Sequence, residues 1–259
     1  MYPSLDNTLI PMWVVYRKGT KLNSSAPCLL EAYGGYGVYP TPHFKRGLLS
    51  FLNRGGVYAY ANVRGGQYSQ KDWHNMGMGL NKQNTIDDFY AAAKYLVENK
   101  YTQPQRLAIT GSSHGGLLVA ACVNQHPEMY RAAIPKVGVY DLLHFDKYTV
   151  GVHSVAEFGD IKQEKYFNAM LKYSPLHNIK MDVDYPAMLV MTSSNDDRVP
   201  MLHSLKYAAA LQEKVKSTHP ILLRIEKDAG HRGAQTWATQ KNEERDFYAF
   251  LFKELGIKY

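Results

Sequence analysis

A serine in a glycine-rich turn is the sharpest chemical signal in the sequence. Ser113 lies at the centre of Gly111-Ser112-Ser113-His114-Gly115, between the apolar runs 107–110 and 117–122. This strand–turn–helix context is typical of a nucleophile elbow, a tight and strained turn that exposes the serine hydroxyl. The helix N-terminus that follows also stabilises negative charge. We therefore predict that Ser113 is a nucleophile, although other α/β proteins also contain glycine-rich turns.

A serine hydroxyl needs a base, and the base needs an acid that orients it. In a fold with a nucleophile elbow, the acid follows the serine along the chain and the histidine comes last. Asp196 and Asp197 follow the apolar run 187–191, and His231 follows the run 221–225 in a loop with glycines. The spacing leaves the choice between the two aspartates open. These residues predict two-step acyl transfer, with His231 taking the serine proton.

Acyl transfer also needs hydrogen-bond donors for the oxyanion that forms on the attacked carbonyl group. One predicted donor is the backbone N–H of His114, the residue after the serine. The other comes from the loop Ala32-Tyr33-Gly34-Gly35-Tyr36-Gly37, either as a backbone amide or as the Tyr33 hydroxyl. Taken alone, that loop is also consistent with an ordinary aromatic, glycine-rich turn.

A metal site is the main competing interpretation. His153 and Glu157 are four residues apart, which suits two metal ligands on one helix face. No third ligand follows at a useful spacing, and the sequence has no His-Glu-x-x-His motif. We therefore predict that the protein uses no metal and no cofactor.

Composition excludes several other classes of protein. The 259 residues include 30 Lys and Arg against 23 Asp and Glu, but this charge of +7 is spread along the chain, so we expect no nucleic-acid partner. No apolar run approaches the ~20 residues of a membrane span. Two distant cysteines, Cys28 and Cys122, exclude a disulfide framework and suit a reducing compartment. Because the N-terminus does not look like a signal peptide, we expect a cytoplasmic protein.

Short apolar runs alternate with amphipathic stretches, which favours a mainly parallel sheet with helices on both faces. The predicted strands are 10–16, 28–32, 57–63, 107–110, 132–134, 187–191 and 221–225. The predicted helices are 117–124, 204–215, 245–255 and one that begins at the capping-box-like Thr85-Ile86-Asp87-Asp88. Pro11 marks the first strand as an edge strand. We expect one domain over residues 1–259, with the irregular segment 140–185 shaping a pocket over the sheet.

The chain resembles the catalytic domain of the prolyl oligopeptidase family of serine peptidases. The segments that carry the resemblance are Ile10-Pro11-Met12, Tyr33-Gly34-Gly35, Ala61-Asn62-Val63-Arg64-Gly65-Gly66, Trp73-His74, Asn81-Lys82-Gln83-Asn84, Tyr173-Ser174-Pro175-Leu176-His177-Asn178, Asp196-Asp197-Arg198-Val199-Pro200 and Gly230-His231. So many matches in the same order make the resemblance specific. It implies an α/β-hydrolase fold.

The resemblance also implies a role for individual residues. Ser113 matches the nucleophile, Asp196 rather than Asp197 matches the acid, and His231 matches the base. Tyr33 matches a tyrosine whose hydroxyl completes the oxyanion hole beside the His114 amide. The positions that match substrate contacts are Arg198, which binds a substrate carbonyl, and Tyr36, Val139, Phe158 and Val199, which line the proline pocket.

The sequence departs from the family pattern near the site. His114 replaces the asparagine that usually follows the serine, and Ser154 stands where a tryptophan stacks on the substrate proline. Gln67-Tyr68 replaces a Gly-Glu pair, so the contact of that glutamate is absent. No part of the chain matches the β-propeller that caps the site in full-length members.

These departures leave three functions open. A flat aromatic ring buries apolar area, so Ser154 in its place predicts weak prolyl specificity. Hydrolysis of short peptides and hydrolysis of small esters are alternatives, and a non-catalytic binding domain is a third. The expected partner is a small peptide or ester substrate. In this chain, the surface that a propeller covers in full-length family members is expected to be polar or to be buried in a homo-oligomer.

Overall fold

A computed structural model describes residues 1–68 and 72–258, so Tyr259, the predicted end of the domain, lies outside it. Its strands are β1 (Tyr2–Pro3), β2 (Leu9–Ile10), β3 (Met12–Tyr16), β4 (Cys28–Glu31), β5 (Val57–Ala61), β6 (Leu107–Ser112), β7 (Ala132–Lys136), β8 (Ala187–Ser193) and β9 (Ile221–Glu226). Its α-helices are α1 (Arg46–Asn53), α2 (Lys82–Glu98), α3 (His114–Gln125), α4 (Val155–Phe158), α5 (Glu164–Tyr173), α6 (Met201–Lys214) and α7 (Trp237–Glu254). Among the described helices, none is long and apolar enough to cross a lipid bilayer.

The central sheet is mainly parallel, in the order β3-β5-β4-β6-β7-β8-β9. Only the β3–β5 pairing is antiparallel within this sheet of the described residues. Strands β4 to β8 are largely buried, because helices cover both faces of the sheet. Burial on both faces explains why these strands are continuous apolar runs rather than alternating patterns. Pro11 directly precedes β3, which is an edge strand as expected.

Two hydrophobic cores lie on the two faces of the sheet. Helices α2 and α3 pack on one face, where Phe89 and Leu118 have no exposed surface. Helices α1 and α7 pack on the other, where Phe51 and Leu251 are likewise fully buried. The prediction of a mainly parallel sheet with helices on both faces is confirmed.

The local prediction for the start of α2 is wrong. The helix begins at Lys82, three residues before the predicted capping box. The buried Thr85 hydroxyl instead directs its single proton to the backbone oxygens of Arg64 (2.9 Å) and Gly77 (3.0 Å), which share it. Thr85, which the local sequence pattern predicts as a helix cap, therefore lies inside α2 and makes tertiary contacts instead. The β1–β2 hairpin and helices α1, α4 and α5 were also absent from the prediction.

A buried ion pair ties the N-terminal hairpin to the sheet and to α2. Arg64 is 1% exposed, and its Nε and Nη2 donate to the carboxylate of the fully buried Asp88 at 2.9 and 2.6 Å. Asp88 also accepts from the Ser4 hydroxyl at 2.5 Å, and Arg64 reaches Asp6 at 2.6 Å. These partners satisfy both buried charges, as a stable buried pair requires.

The parallel order brings four predicted site residues to one edge of the sheet. Tyr33 follows β4, Ser113 follows β6, Asp196 follows β8 and His231 follows β9. The carboxyl ends of parallel strands share one edge, which is where open α/β sheets bind their ligands.

Candidate active site

The turn at Ser113 has the strained backbone of a nucleophile elbow. Ser113 has φ +58° and ψ −116°, which is an uncommon conformation for a residue with a side chain. Its N–H donates to the carbonyl oxygen of Lys136 (2.8 Å), which holds the turn in place. A Cβ on Gly111 would lie 2.4 Å from the Gly115 oxygen, and one on Gly115 would lie 2.5 Å from the Ala32 oxygen. Glycine is therefore required at both positions for β6 and α3 to approach this closely.

His231 is hydrogen-bonded to Asp196 and not to Asp197. The distance between His231 Nδ1 and Asp196 Oδ2 is 2.8 Å. The other carboxylate oxygen of Asp196 accepts the backbone N–H groups of Arg198 (3.0 Å) and Val199 (2.9 Å). The Asp197 side chain lies at the exposed surface. Because a carboxylate only accepts, His231 carries its proton on Nδ1, and the Nε2 lone pair is left to accept another.

Ser113 and His231 are not hydrogen-bonded to each other in the part of the chain that the structure describes. Catalytic hydrogen bonds are often long before substrate binds. The hydroxyl of Tyr33 lies near Ser113, and the two side chains interact. Burial raises the pKa of Tyr33, and the interaction with Ser113 only partly offsets that rise. Tyr33 is therefore protonated near neutral pH and available as a hydrogen-bond donor.

The side chain of His114 lies beneath the loop that carries Tyr33. It is 1% exposed, and its Nδ1 is 2.8 Å from the backbone oxygen of Tyr33. Its Nε2 is 3.0 Å from the Nζ of Lys82, which is fully buried. Phe158 stacks against the imidazole at 5.9 Å, and Tyr36 meets it edge-on at 6.0 Å. The ring is therefore fixed on its faces and at both nitrogens.

A buried carboxylate joins Lys82 to the same loop. Glu157 Oε1 accepts from Lys82 Nζ at 2.5 Å, and Oε2 accepts the Tyr36 backbone N–H at 3.0 Å. His74 Nε2 lies 2.7 Å from that second oxygen. Burial favours the neutral acid, but Lys82 and the other partners hold the pKa of Glu157 below its usual value. The loop is thus held by two buried side chains, His114 and Glu157, that both contact Lys82.

Comparison with known proteins identifies the family. The sequence model of the prolyl oligopeptidase family matches residues 42–258. The chain belongs to this family. It is 41% identical to prolyl oligopeptidase A of Amanita bisporigera over its whole length, and 39% identical to a prolyl endopeptidase of Elizabethkingia meningoseptica over 99% of it. It spans 34% and 37% of those two proteins, or about a third of the length of these curated relatives.

Solved structures of the prolyl oligopeptidase family share this fold. A prolyl endopeptidase structure superposes with a TM-score of 0.97 at 44% identity, covering 99% of this chain and 38% of that one. A post-proline cleaving enzyme from Rickettsia typhi gives 0.96 at 32% identity, covering 100% of this chain and 37% of that one. The chain therefore has the α/β-hydrolase fold of the family's catalytic domains.

The positions that match the family's proline pocket are only partly open. Tyr36 is 40% exposed, and its hydroxyl is 2.9 Å from Ser154 Oγ. Phe158 is fully buried beneath the Tyr36 ring, with the ring centres 6.3 Å apart. Val139 and Val199 belong to the same hydrophobic core as Phe158, and Arg198 lies exposed next to Val199. Ser154, the position predicted to lack the family's stacking ring, is thus hydrogen-bonded to the Tyr36 hydroxyl.

One cavity of the described residues lies beside the serine turn, where Gly111 and Ser112 line it but the Ser113 side chain does not. It measures about 670 Å³ and lies between α1 and α7, with Trp237 and Phe44 among its lining residues. It contains none of the three side chains predicted to form the triad. The strained serine and the His231–Asp196 pair lie at the carboxyl ends of the strands, outside the group of residues that lines this cavity.

One group of side chains could offer ligands to a metal ion. Asp141, His144 and His177 have ligand atoms within 4.8 Å of one another. The Asp141 carboxylate already has a cationic partner, because Lys206 forms a hydrogen-bonded ion pair with it. We therefore assign this cluster as a partly buried ion-pair network. Of the two residues four apart in sequence, His153 is exposed, whereas Glu157 is buried and hydrogen-bonded to Lys82 and His74.

Sequence reasoning gave no role to Lys82, Glu157 and His74. Their segments were recognised only as matches to the family, and Glu157 only as half of a metal spacing. Lys82 and His114 are 32 residues apart, and Lys82 and Glu157 are 75 apart. The feature that distinguishes Lys82 is that it is a fully buried lysine. The local sequence pattern does not predict the burial of one such position.

Proposed function

We propose that this chain is a serine hydrolase that acts by two-step acyl transfer through Ser113, Asp196 and His231. The observation that carries the proposal is the 2.8 Å hydrogen bond from His231 Nδ1 to Asp196 Oδ2, on the sheet edge where the strained Ser113 lies. This bond fixes the tautomer that a general base needs. The relatives at 39% to 41% identity, which are named as prolyl peptidases, support the same reaction class.

The first step forms an acyl-enzyme. Ser113 Oγ attacks the substrate carbonyl carbon, and its proton passes to Nε2 of His231, while Asp196 stabilises the resulting imidazolium. The Tyr33 hydroxyl and the His114 N–H donate to the oxyanion. Collapse of the tetrahedral intermediate breaks the bond to the leaving group, which takes the proton from His231.

The second step regenerates the enzyme. Water attacks the acyl carbon and gives a proton to His231, which then protonates the departing Ser113 oxygen. The products are a carboxylic acid and the free enzyme, and no cofactor takes part in the proposed sequence.

We propose a short peptide or small ester as the substrate. The relatives' names favour cleavage after proline, but Ser154 removes the ring expected to stack on that proline. A carboxylesterase is therefore the second candidate, supported by the hydrogen bond between Tyr36 and Ser154 in that position. Activated esters have better leaving groups than amides, so a site with weaker substrate contacts loses amide turnover first.

A paired assay separates the two candidates. Wild type and Ser113→Ala are compared on a short-chain p-nitrophenyl ester and on a blocked Gly-Pro arylamide. If wild type hydrolyses both substrates and Ser113→Ala hydrolyses neither, the result supports the peptidase. If wild type hydrolyses the ester alone, the result supports the esterase. Equal activity of Ser113→Ala would reject the proposed nucleophile, and no labelling by a fluorophosphonate would favour the binding domain.

We also propose that the chain forms a homo-oligomer in a cytoplasmic, reducing environment. Exposed aromatic side chains such as Phe44 (74% exposed) and Trp237 (63% exposed) favour coverage by a second copy. The buried free thiols of Cys28 and Cys122 suit a reducing compartment. A monomeric mass in light scattering would contradict the assembly, and recovery in a secreted fraction would contradict the location.

A further inference from the structure

The hydrogen bonds of His114 determine where its proton lies. Its Nδ1 faces the backbone oxygen of Tyr33 at 2.8 Å, and its Nε2 faces the Lys82 ammonium at 3.0 Å. A carbonyl oxygen can only accept and an ammonium group can only donate. Nδ1 therefore carries the proton, and Nε2 holds a lone pair that accepts from Lys82. His114 is a neutral imidazole in one tautomer.

This imidazole connects the two residues that supply the proposed oxyanion donors. The backbone N–H of His114 is one donor, and the hydroxyl of Tyr33 is the other. The bond from His114 Nδ1 to the Tyr33 oxygen joins them directly. We propose that Lys82 is a positioning residue, which holds His114 in the neutral tautomer that fixes the oxyanion loop. The inference rests on the proposed acyl-transfer function and extends it to a residue outside the triad.

The contacts around His114 leave the ring little freedom. A Cβ on Gly35 would lie 2.5 Å from two carbons of the imidazole, so the loop backbone rests against the ring. Phe158 and Tyr36 close the other sides. A movement of the ring therefore has to move the loop that carries Tyr33.

The charged or titratable side chains that face His114 are Lys82, Glu157, His74, Tyr33 and Tyr36, and burial raises the pKa of both tyrosines, so they stay neutral. Lys82 is fully buried at Nε2, Glu157 Oε1 is 3.9 Å from Nε2, and His74 contacts Glu157 from the solvent side. Burial is the largest influence on His114, followed by the Lys82 charge, and together they lower its pKa to about 3 although Glu157 opposes them. The burial and the charges around His114 therefore favour a neutral ring, as do its hydrogen bonds.

Replacing Lys82 with methionine changes this balance while keeping a long side chain. Lys82→Met removes the donor at Nε2 and leaves Glu157 as the nearest charge. Protonation of His114 then becomes easier, because the protonated Nε2 gains a carboxylate partner. The cationic ring is attracted to Glu157 Oε1, 3.9 Å from Nε2, and because Nδ1 still donates to the Tyr33 oxygen, a shift of the ring moves the loop that carries Tyr33.

The experiment records kcat against pH between about pH 5 and pH 9 for ester hydrolysis. The variants are wild type, Lys82→Met, Lys82→Met/Glu157→Gln and Lys82→Met/His114→Asn, with Lys94→Met on the same helix as the control. We expect Lys82→Met to show an added acidic limb, with kcat lowered by at least about tenfold at the acidic end and KM changed much less. Neither double variant shows that limb, because one lacks the carboxylate and the other lacks the imidazole. Lys94→Met follows the wild-type profile.

A second readout does not depend on activity. Heteronuclear NMR of the imidazole nitrogens in the wild-type protein should show His114 protonated on Nδ1 alone, and in Lys82→Met it should show Nε2 protonated at acidic pH. An Nε2–H tautomer in the wild type would overturn the inference even if Lys82→Met did not fold. A Lys82→Met profile identical to that of wild type would also overturn it. Retained hydrolysis in Ser113→Ala would instead reject the proposed function. The NMR result does not depend on hydrolysis, so the two failures can be distinguished.

Discussion

Removal of the Tyr33 hydroxyl tests whether this tyrosine stabilises the oxyanion. Tyr33→Phe deletes one oxygen and keeps the ring that packs near His114, with ring centres 5.9 Å apart. The substitution does not alter the hydrogen bond that fixes the loop, which joins His114 Nδ1 to the backbone oxygen of Tyr33. The change therefore removes a hydrogen-bond donor without removing the support of the loop.

The expected loss follows from the state of that hydroxyl. Burial raises the pKa of Tyr33, so the group is a neutral donor throughout the working pH range. Removing one donor from an oxyanion hole lowers kcat by about 10²–10³, or about 2.7–4 kcal/mol. KM should change little, because the donor acts on charge that develops after binding. The second proposed donor is the backbone N–H of His114, which Tyr33→Phe leaves in place and which we expect to sustain the residual rate.

Steady-state kinetics on the p-nitrophenyl ester checks this prediction. Tyr39→Phe is the matched control, since Tyr39 is 54% exposed and follows the same loop. We expect Tyr39→Phe to keep the wild-type kcat. A Tyr33→Phe kcat within about threefold of wild type would refute the hydroxyl as a donor and would favour a backbone amide of the loop.

Three further predictions concern the acid and the stability of the fold. Asp196→Asn should lower kcat by about 10⁴ with the fold intact, whereas Asp197→Asn should keep most of the activity; equal losses in the two variants would contradict the assignment. Arg64→Met leaves a buried carboxylate without its partner and should lower the free energy of unfolding in urea by about 3–5 kcal/mol, against less than about 1 kcal/mol for Lys45→Met, which breaks a partly exposed pair. Burial lowers the pKa of His203 from 6.5 to about 4, so its contribution to stability, on the order of 3 kcal/mol, is present above about pH 6.5 and is lost as the pH falls towards 4. Urea unfolding across that interval should show a flatter pH dependence for His203→Gln than for wild type, and an unchanged slope would contradict the assignment.

The serine elbow could be predicted from sequence because its determinants are local. Strand, glycine turn and helix follow each other within residues 107–125, and each carries its own pattern. The sheet was predictable for a related reason, since strands buried on both faces are continuous apolar runs. The choice between Asp196 and Asp197 was different. Both follow β8, and only the turn geometry directs one towards His231 and the other towards solvent.

The support of the loop that carries Tyr33 and Tyr36 could not be predicted, because it depends on contacts between distant segments. Lys82, His114 and Glu157 come from α2, α3 and α4, and no local pattern places them together. Thr85 shows the same limit in reverse: its sequence context favours a helix cap, but packing against the Arg64 segment gives its hydroxyl other acceptors. Tertiary context decided both outcomes.

Fluorophosphonate labelling with peptide mapping tests the central proposal most directly, because the reagent forms a covalent bond with an activated serine. We predict that the intact chain is labelled on the peptide that contains Ser113, that Ser113→Ala abolishes the labelling, and that Ser112→Ala retains it. Labelling that persists in Ser113→Ala, or that maps to another serine, would contradict the assignment of Ser113 as the nucleophile.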